Sequence, residues 1–214
     1  MSQIKSKERV TKHGEVFTAP REVNAMLDLV KDETERIESR FLEPACGTGN
    51  FLVEVLRRKL RVVGAKYGHD TLDYEYYAIK ALSTLYGIDI LEDNVYECRK
   101  RLFEIFVDFH DKHVNMMFIS PVRNVARYIL EKNICWGDAL TMHIPNSDQP
   151  IVFTEWTFPK KHYIKGKEYV FSLLVDKSKQ LALFNDMNEP AYIPESRGEQ
   201  QMVFFLNLGN ESAH

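Results

Sequence analysis

The fold is decided by residues 41–52, which read Phe41-Leu42-Glu43-Pro44-Ala45-Cys46-Gly47-Thr48-Gly49-Asn50-Phe51-Leu52. The run that ends at Glu43 predicts a short strand, and the apolar face that begins at Phe51 predicts a helix. The glycines between them predict a turn, and glycine lets the backbone come close to a ligand because it has no Cβ. Ligands of parallel sheets bind where the strands end, so we expect a binding site at this turn.

The turn also narrows the class of ligand. It is not a dinucleotide fingerprint, because Leu52 stands where the third glycine would be, and no Lys-Ser or Lys-Thr pair follows Gly49 as in a phosphate-binding loop. A dinucleotide or a nucleoside triphosphate is therefore disfavoured. Glu43 at the strand end suits the ammonium group of an amino-acid ligand. The alternative is that residues 44–49 are an ordinary connecting turn.

Working outward, strands alternate with helices along the first three quarters of the chain. Strands are predicted at residues 40–43, 86–90, 133–136 and 150–156, and residues 62–73 are predicted to be a loop. This alternation predicts an α/β fold, with a parallel sheet and helices on both faces. Later strands are predicted at residues 168–175 and 201–206. We therefore divide the chain into a domain at residues 1–158 and a β-rich element at residues 159–214 that packs on the same domain.

Two more acids follow predicted strands. Asp89 ends the second strand, where an acid commonly accepts two ribose hydroxyls, although it could instead cap the next helix. Asp93 is the better placed of the two for that cap. Asp138 follows the third strand and could accept from the amino group of adenine, or could form an Asx-turn. With the glycine turn and Glu43, these acids describe a site for a nucleoside joined to an amino acid, and S-adenosyl-L-methionine fits that description.

Composition sets further bounds. The chain is 44% hydrophobic and 28% charged, which is typical of a globular protein. Its net charge of -3 excludes a strongly basic, sequence-independent nucleic-acid binder. The three cysteines have no CxxC spacing, which favours reduced thiols, and no signal peptide or membrane span is visible. We expect a cytoplasmic protein without a membrane partner.

His110 and His113 lie on a charged helix end, where a solvated face is favoured over a metal site.

Residues 9 to about 158 resemble the N6-adenine DNA methyltransferases, especially the modification subunits of type I restriction systems. The stretches that carry the resemblance are 9–20, which contains Gly14-Glu15-Val16-Phe17-Thr18, then 43–52, 86–101 and 133–140. The resemblance implies a class I S-adenosylmethionine-dependent methyltransferase fold, which is Rossmann-like, and S-adenosyl-L-methionine as the cofactor. It also implies DNA and a restriction-modification subunit as partners. The residues that it implies for cofactor binding are Phe17, Thr18, Glu43, Ala45, Gly47, Asp89, Ile90, Asp138 and Ala139.

The chain departs from that family after its fourth predicted strand. The family places Asn or Asp, then Pro-Pro, then Tyr or Phe there, to hold the flipped adenine. Here residues 151–158 read Ile-Val-Phe-Thr-Glu-Trp-Thr-Phe. The register puts Glu155 at the amide position and Phe158 at the aromatic position as candidate catalytic residues, and the alternative for both is an ordinary strand end. Trp156-Thr157 cannot reproduce the rigid Pro-Pro backbone.

Three functions remain open from the sequence. The chain could be a DNA adenine methyltransferase with an altered tetrad, or a homologue that has lost methyl transfer and acts as a binding or regulatory subunit. Methylation of a protein or a small molecule is the third. The lysines of the β-rich element could contact a phosphate backbone, or could belong to a solvated hairpin. These lysines are Lys160, Lys161, Lys165, Lys167, Lys177 and Lys179.

Overall fold

The structure is a computed structural model that describes Thr11 and residues 18–114, 121–175 and 195–209. The described helices are α1 (Pro20–Asp28), α2 (Lys31–Glu35), α3 (Asn50–Tyr67), α4 (Thr71–Leu82), α5 (Glu92–His113) and α6 (Val122–Asn133). The described strands are β1 (Phe41–Glu43), β2 (Leu85–Asp89), β3 (Ile134–Trp136), β4 (Val152–Thr157), β5 (Tyr163–Val170), β6 (Gly198–Glu199) and β7 (Val203–Phe204). Among these residues, no helix is both long enough and apolar enough to cross a membrane.

The first three strands form a parallel sheet in the order β1-β2-β3. Glu43 lies opposite Gly87, and Asp89 lies opposite Trp136, so the carboxyl ends of the strands meet at one edge. Each strand of this sheet is followed or preceded by a helix that packs on it. The structure thus confirms a mixed α/β fold with a parallel sheet.

The fourth strand does not join this sheet. β4 pairs antiparallel with β5, and β5 also pairs with β6 and β7. The expectation of a fourth parallel strand is wrong. Only residues 158–162 connect β4 to β5, which is too short for a parallel connection, so these two strands form a hairpin. The hairpin also spans residue 158, where the sequence analysis placed the boundary between the two parts.

The two faces of the parallel sheet pack against different partners. On one face, Leu85 and Ile134 belong to the core that the helices form. On the other face, Ile88 packs with Ile151, Phe153 and Phe171. The sequence predicts helices on both faces; on this second face the described residues form one strand, β4, and one short helical segment, residues 171–175.

β4 crosses that second face in the direction opposite to β1, β2 and β3. At its start, Ile151 donates its backbone N–H to Met142, in the loop after β3 (2.9 Å). In its middle, the Tyr86 hydroxyl donates to the Thr154 carbonyl oxygen (3.1 Å). At its end, Trp156 Nε1 donates to Oδ1 of Asn133, the residue just before β3 (2.8 Å). β4 therefore runs from the carboxyl edge of the parallel sheet to its amino edge.

Several predicted boundaries shift. The predicted loop at 62–73 is wrong at both ends, because α3 continues to Tyr67 and α4 begins at Thr71. Val63 extends the buried face of α3, and Gly64 leaves room for the His113 ring, since a Cβ there would lie 2.6 Å from His113 Nε2. The predicted strand at 168–175 ends at Val170, and residues 171–175 are helical.

The first helices differ from expectation. The spacing of Val23, Met26, Leu27 and Val30 predicts one helix that Thr18 caps and that ends near Ser39, whereas the structure has two short helices, α1 and α2. The N-cap residue of α1 is Ala19, whose N–H donates to Glu22 Oε2 (3.2 Å). Near the end of the described chain, Phe205 is fully buried in the same core as the helices. The β-rich element therefore packs on the main core.

Candidate functional site

The glycine turn lies at the carboxyl edge of the parallel sheet, between β1 and α3. Gly47 has φ +51° and Gly49 has φ +84°, in the left-handed region where residues with a Cβ are strained. The turn is held by backbone hydrogen bonds. Cys46 donates to the Ile88 carbonyl oxygen of β2 (2.8 Å), and Gly49 donates to the Cys46 carbonyl oxygen (2.8 Å). The two glycines thus allow a tight turn that stays anchored to the central strand.

Asp89 at the end of β2 connects this turn to the next helix. Its buried carboxylate accepts from the Gly47 N–H (2.8 Å), from the Leu91 N–H (2.9 Å) and from Asn94 Nδ2 (3.3 Å). A carboxylate has about four acceptor positions, so these bonds leave about one for a ligand. Asp93, which was expected to cap α5, lies within its first turn, and no side chain caps the helix at Leu91.

The two glycines face different surroundings. Among the described atoms, a Cβ built on Gly47 would have no neighbour within 4 Å, whereas one built on Gly49 would lie 2.6 Å from Cys98 Sγ. Gly49 is thus packed against α5, while Gly47 borders open space. That space is where a ligand could approach the turn.

Glu43 and Thr18 also lie at the turn. Among the residues that the structure describes, the half-buried Glu43 carboxylate makes no hydrogen bond or ion pair, and burial raises its pKa. Such a group gains by meeting a cationic ligand group. Asn50 Nδ2 donates to the Thr18 carbonyl oxygen (3.1 Å), which brings Thr18 beside the turn. Ala45 is exposed next to it, and Phe17 lies outside the described residues.

Arg101 of α5 supports the turn, and the sequence analysis missed it. Its Nη1 donates to the Thr48 carbonyl oxygen (2.6 Å), the Thr48 hydroxyl (3.0 Å) and Asn50 Oδ1 (2.8 Å). These bonds direct its charge to protein oxygens. No spacing in the sequence distinguishes Arg101 from the other basic residues of α5, so only the packing of α5 against the turn reveals its role.

A cavity of about 640 Å³ lies beside the turn, beyond the ends of β2 and β3. Its lining combines carboxylates, hydroxyls, a histidine and apolar side chains. The lining residues are Ile90, Asp138, Thr141, His143, Ile144, Pro145, Asn146, Ser147 and Asp148. Ile90 directly follows Asp89, which binds the glycine turn, so the cavity and the turn are adjacent parts of one edge of the sheet.

The predicted residues Ile90 and Asp138 both line this cavity, but Ala139 does not. Asp138 Oδ1 accepts from the Leu140 N–H (2.9 Å), which is the Asx-turn considered from the sequence. That bond leaves the second carboxylate oxygen of Asp138 for a further donor. Ala139 instead packs against the cluster that contains Ile88.

The loop from Thr141 to Asp148 was not predicted as part of the site. Met142 and Asn146 have φ values of +63° and +59°, which bend the loop back over the end of β3. The bend is fixed by the hydrogen bond from the Asp138 N–H to the His143 carbonyl oxygen (2.9 Å). Pro145 and Asn146 are turn-forming residues, and they were the signal in the sequence that could have indicated this loop.

The structure places the candidate catalytic residues Glu155 and Phe158 away from the glycine turn and the cavity. Glu155 forms an ion pair with Arg40 (2.7 Å), the residue before β1. Phe158 packs edge to face on Tyr76 (centroids 5.7 Å apart) and lies near Lys80 Nζ. Both are at the amino edge of the sheet, opposite the glycine turn, because β4 runs towards that edge. Their contacts are those of an ordinary strand end.

The charge of the described lysines of the β-rich element is offset in part. Lys161 pairs with Asp73 (2.9 Å), Lys165 and Lys167 share the single carboxylate of Glu199, and Lys160 Nζ lies 5.1 Å from the centroid of the Tyr163 ring. Lys177 and Lys179 lie outside the described residues.

The two histidines of the α5 end are not a solvated face. His110 is buried, with Nε2 2.9 Å from Glu75 Oε1, and the ring of His113 stacks on Tyr74 (centroids 4.5 Å apart). In the part of the chain that the structure describes, no three His, Cys, Asp or Glu side chains are arranged to hold a metal ion.

Comparison of the chain with known protein families, curated proteins and solved structures gave no match.

Proposed function

We propose that the chain binds S-adenosyl-L-methionine at the carboxyl edge of the parallel sheet. The observation that carries this proposal is that three features meet at one edge of the sheet. They are the glycine turn, the Asp89 carboxylate that accepts from Gly47, and the cavity that Ile90 and Asp138 line. Glu43 suits the ammonium group, the remaining acceptor position of Asp89 suits a ribose hydroxyl, and Asp138 suits the amino group of adenine. A cavity of this size lies within the usual range of about 300–1,000 Å³ for small ligands.

The position of Glu155 and Phe158 bears on whether the bound methyl group is transferred. Transfer to an adenine amine requires an acceptor for its protons and a surface that stacks on the ring, both near the methyl group. Both residues lie at the opposite edge of the sheet. We therefore favour a binding or regulatory protein, whose partner would be a restriction-modification subunit if the family resemblance holds. A DNA adenine-N6 methyltransferase is the second candidate, favoured by the sequence of residues 41–52.

Calorimetry with S-adenosylmethionine tests the binding proposal. Gly47→Ala should weaken binding by about tenfold or more, because its Cβ occupies the open space at the turn, where no atom of the described residues lies within 4 Å. Gly198→Ala is the matched control, since Gly198 lies in β6 and a Cβ there meets its nearest atom at 3.7 Å. Wild-type affinity in Gly47→Ala, or no binding to the wild-type chain, would argue against the site.

A transfer assay separates the two candidate functions. The pure chain is incubated with tritiated S-adenosylmethionine and, in separate reactions, unmodified genomic DNA, RNA and a protein extract. We expect binding with little or no label in DNA. Turnover on DNA of about one per second, which is within the usual enzyme range, would establish the methyltransferase instead. Loss of that turnover in Glu155→Ala would restore Glu155 as a catalytic residue.

A further inference from the structure

The cavity and the turn beside it carry an excess of negative charge. Asp138 and Asp148 line the cavity, and Glu43 and Asp89 lie at the adjoining strand ends. The described residues that line the cavity include no lysine and no arginine. Arg101 at the turn adds one positive charge, which offsets only part of the charge of these four acids.

The acids are also only partly satisfied. Within the described part of the chain, neither the Glu43 nor the Asp148 carboxylate forms a hydrogen bond or an ion pair. Asp138 uses one carboxylate oxygen in its Asx-turn. A cleft lined by charge of one sign, with low-dielectric walls, concentrates ligands of the opposite sign. The electrostatic field of this edge therefore favours a ligand that carries net positive charge.

We infer that the site selects its ligand by charge and prefers the methyl donor S-adenosylmethionine to its demethylated product. This inference rests on the proposed function. The donor carries a sulfonium, an ammonium and a carboxylate, so its net charge is positive, whereas the product has a neutral thioether and no net charge. The two ligands otherwise share adenosine and an amino acid. The two ligands differ only in one methyl group and the positive charge that comes with it. The ratio of their affinities therefore measures mainly the electrostatic contribution of the site.

Such a preference has a functional consequence. A site that held both ligands equally would fill with product as the donor is consumed. A site that favours the cation responds to the donor itself, which suits a regulatory protein that reports methyl-donor supply. Phosphorylated nucleosides should be the poorest ligands, because their negative charge meets the same carboxylates.

The size of the preference follows from the exposure of the acids. Asp148 is exposed and Asp138 is half-buried, so solvent weakens their attraction for the sulfonium. We expect a preference of about threefold to tenfold at low ionic strength, the range for partly exposed charges. Salt screens exposed charges, so the preference should fall towards one at about 0.5 M salt.

The test is calorimetry of four ligands: S-adenosylmethionine, S-adenosylhomocysteine, adenosine and adenosine monophosphate. Each is titrated into the wild-type chain, Asp148→Asn and Asp108→Asn, at low salt and at about 0.5 M salt. Asp108→Asn is the control, because it removes the same charge from an exposed position about 24 Å along α5 from the start of that helix. We expect Asp148→Asn to lower the donor-to-product preference by about twofold and Asp108→Asn to leave it unchanged.

The outcomes are distinguishable. Equal affinity for donor and product at low salt would overturn charge selection while leaving the proposed site intact. A preference that persists unchanged at high salt would also overturn it, since a contact with the methyl group would then be responsible. An equal effect of Asp148→Asn and Asp108→Asn would show that the net charge of the protein acts, and not this cavity. No binding of any adenosine ligand would instead overturn the proposed function.

Discussion

Replacing Gly49 with alanine tests how the glycine turn is built. Gly49 is the N-cap residue of α3 and has φ +84°. A Cβ there would lie 2.6 Å from Sγ and 3.4 Å from Cβ of Cys98, a side chain of α5 that is fully buried. The alanine must therefore adopt a left-handed conformation and also displace a sulfur atom that cannot move into solvent.

The two costs can be estimated separately. The left-handed conformation costs a residue with a Cβ about 1–2 kcal/mol. Forcing an additional methyl group into a packed core costs about 1–3 kcal/mol. Gly49→Ala should therefore lower the free energy of unfolding by about 2–4 kcal/mol, given that the core relaxes in part. Gly47→Ala incurs only the conformational cost, because no described atom lies within 4 Å of the added Cβ, and it should lower the free energy of unfolding by about 1–2 kcal/mol.

Urea unfolding of four proteins isolates the contact with the sulfur. These are the wild-type chain, Gly49→Ala, Cys98→Ala and the double variant. Removing Sγ from residue 98 vacates the volume that the new methyl group needs, so the double variant should be more stable than the sum of the single effects implies. We expect a coupling free energy of about 1–2 kcal/mol.

Two results would refute this reasoning. Additive effects of the two substitutions would mean that the sulfur does not constrain Gly49. Equal destabilisation by Gly47→Ala and Gly49→Ala would mean that backbone conformation alone requires both glycines. The slope of the unfolding free energy against urea concentration should stay unchanged in all four proteins, because a change would indicate an altered denatured or native state.

Further predictions concern buried charges. Lys59 Nζ donates to the Ile37 carbonyl oxygen (3.1 Å) and the Thr84 hydroxyl (2.7 Å), so Lys59→Met should lower the free energy of unfolding by about 2 kcal/mol or more in urea titrations. Burial lowers the pKa of Lys59 to about 7, so stability should rise from about pH 7 to 10, and Lys59→Met should remove that rise. Burial opposes protonation of His110, but its hydrogen bonds, chiefly with Glu75, outweigh this and raise its pKa. The contribution of His110 to stability should be complete below about pH 6.5 and should be lost as the pH rises through its raised pKa. Thermal unfolding measures this dependence on pH, which should disappear in Glu75→Gln.

The parallel sheet was predictable from the sequence because its signals are local. An apolar run, a glycine turn and an amphipathic helix follow one another within residues 41–60, and each is determined by neighbouring residues. The position of Asp89 at a strand end followed from the same pattern. The end of α3 was harder to predict, because many side chains after Leu60 are polar and face solvent. The buried face of this last part contacts His113, which is distant in sequence.

The partner of β4 was not predictable from its own residues. A strand of alternating burial has the same sequence pattern whether its neighbour is parallel or antiparallel, so residues 152–157 carry no signal of direction. The length of the following connection does carry one, since residues 158–162 suffice only for a hairpin. The family resemblance favoured the parallel placement instead, and the positions expected for Glu155 and Phe158 depended on it.

The roles of the site carboxylates were predictable only in part. The sequence places Glu43, Asp89 and Asp138 after strands, but it does not show whether a carboxylate meets a ligand or a protein N–H group. Asp89 accepts three protein donors, Asp138 accepts one, and Glu43 accepts none among the described residues. These differences arise from the paths of Gly47, Leu91 and Leu140, which bring their N–H groups within reach only in the folded chain.

The direction of β4 decides which part of the chain can act on a bound ligand. When a strand runs parallel to β1, the residues that follow it reach the carboxyl edge, where the ligand would lie. β4 runs the other way, so the residues after it leave the site, and those before it remain there. His143, Asn146, Ser147 and Asp148 line the cavity for this reason. If the chain modifies a second substrate, the groups that contact that substrate should come from the loop before β4. Substitution of His143 or Ser147 should then change transfer more than substitution of Glu155.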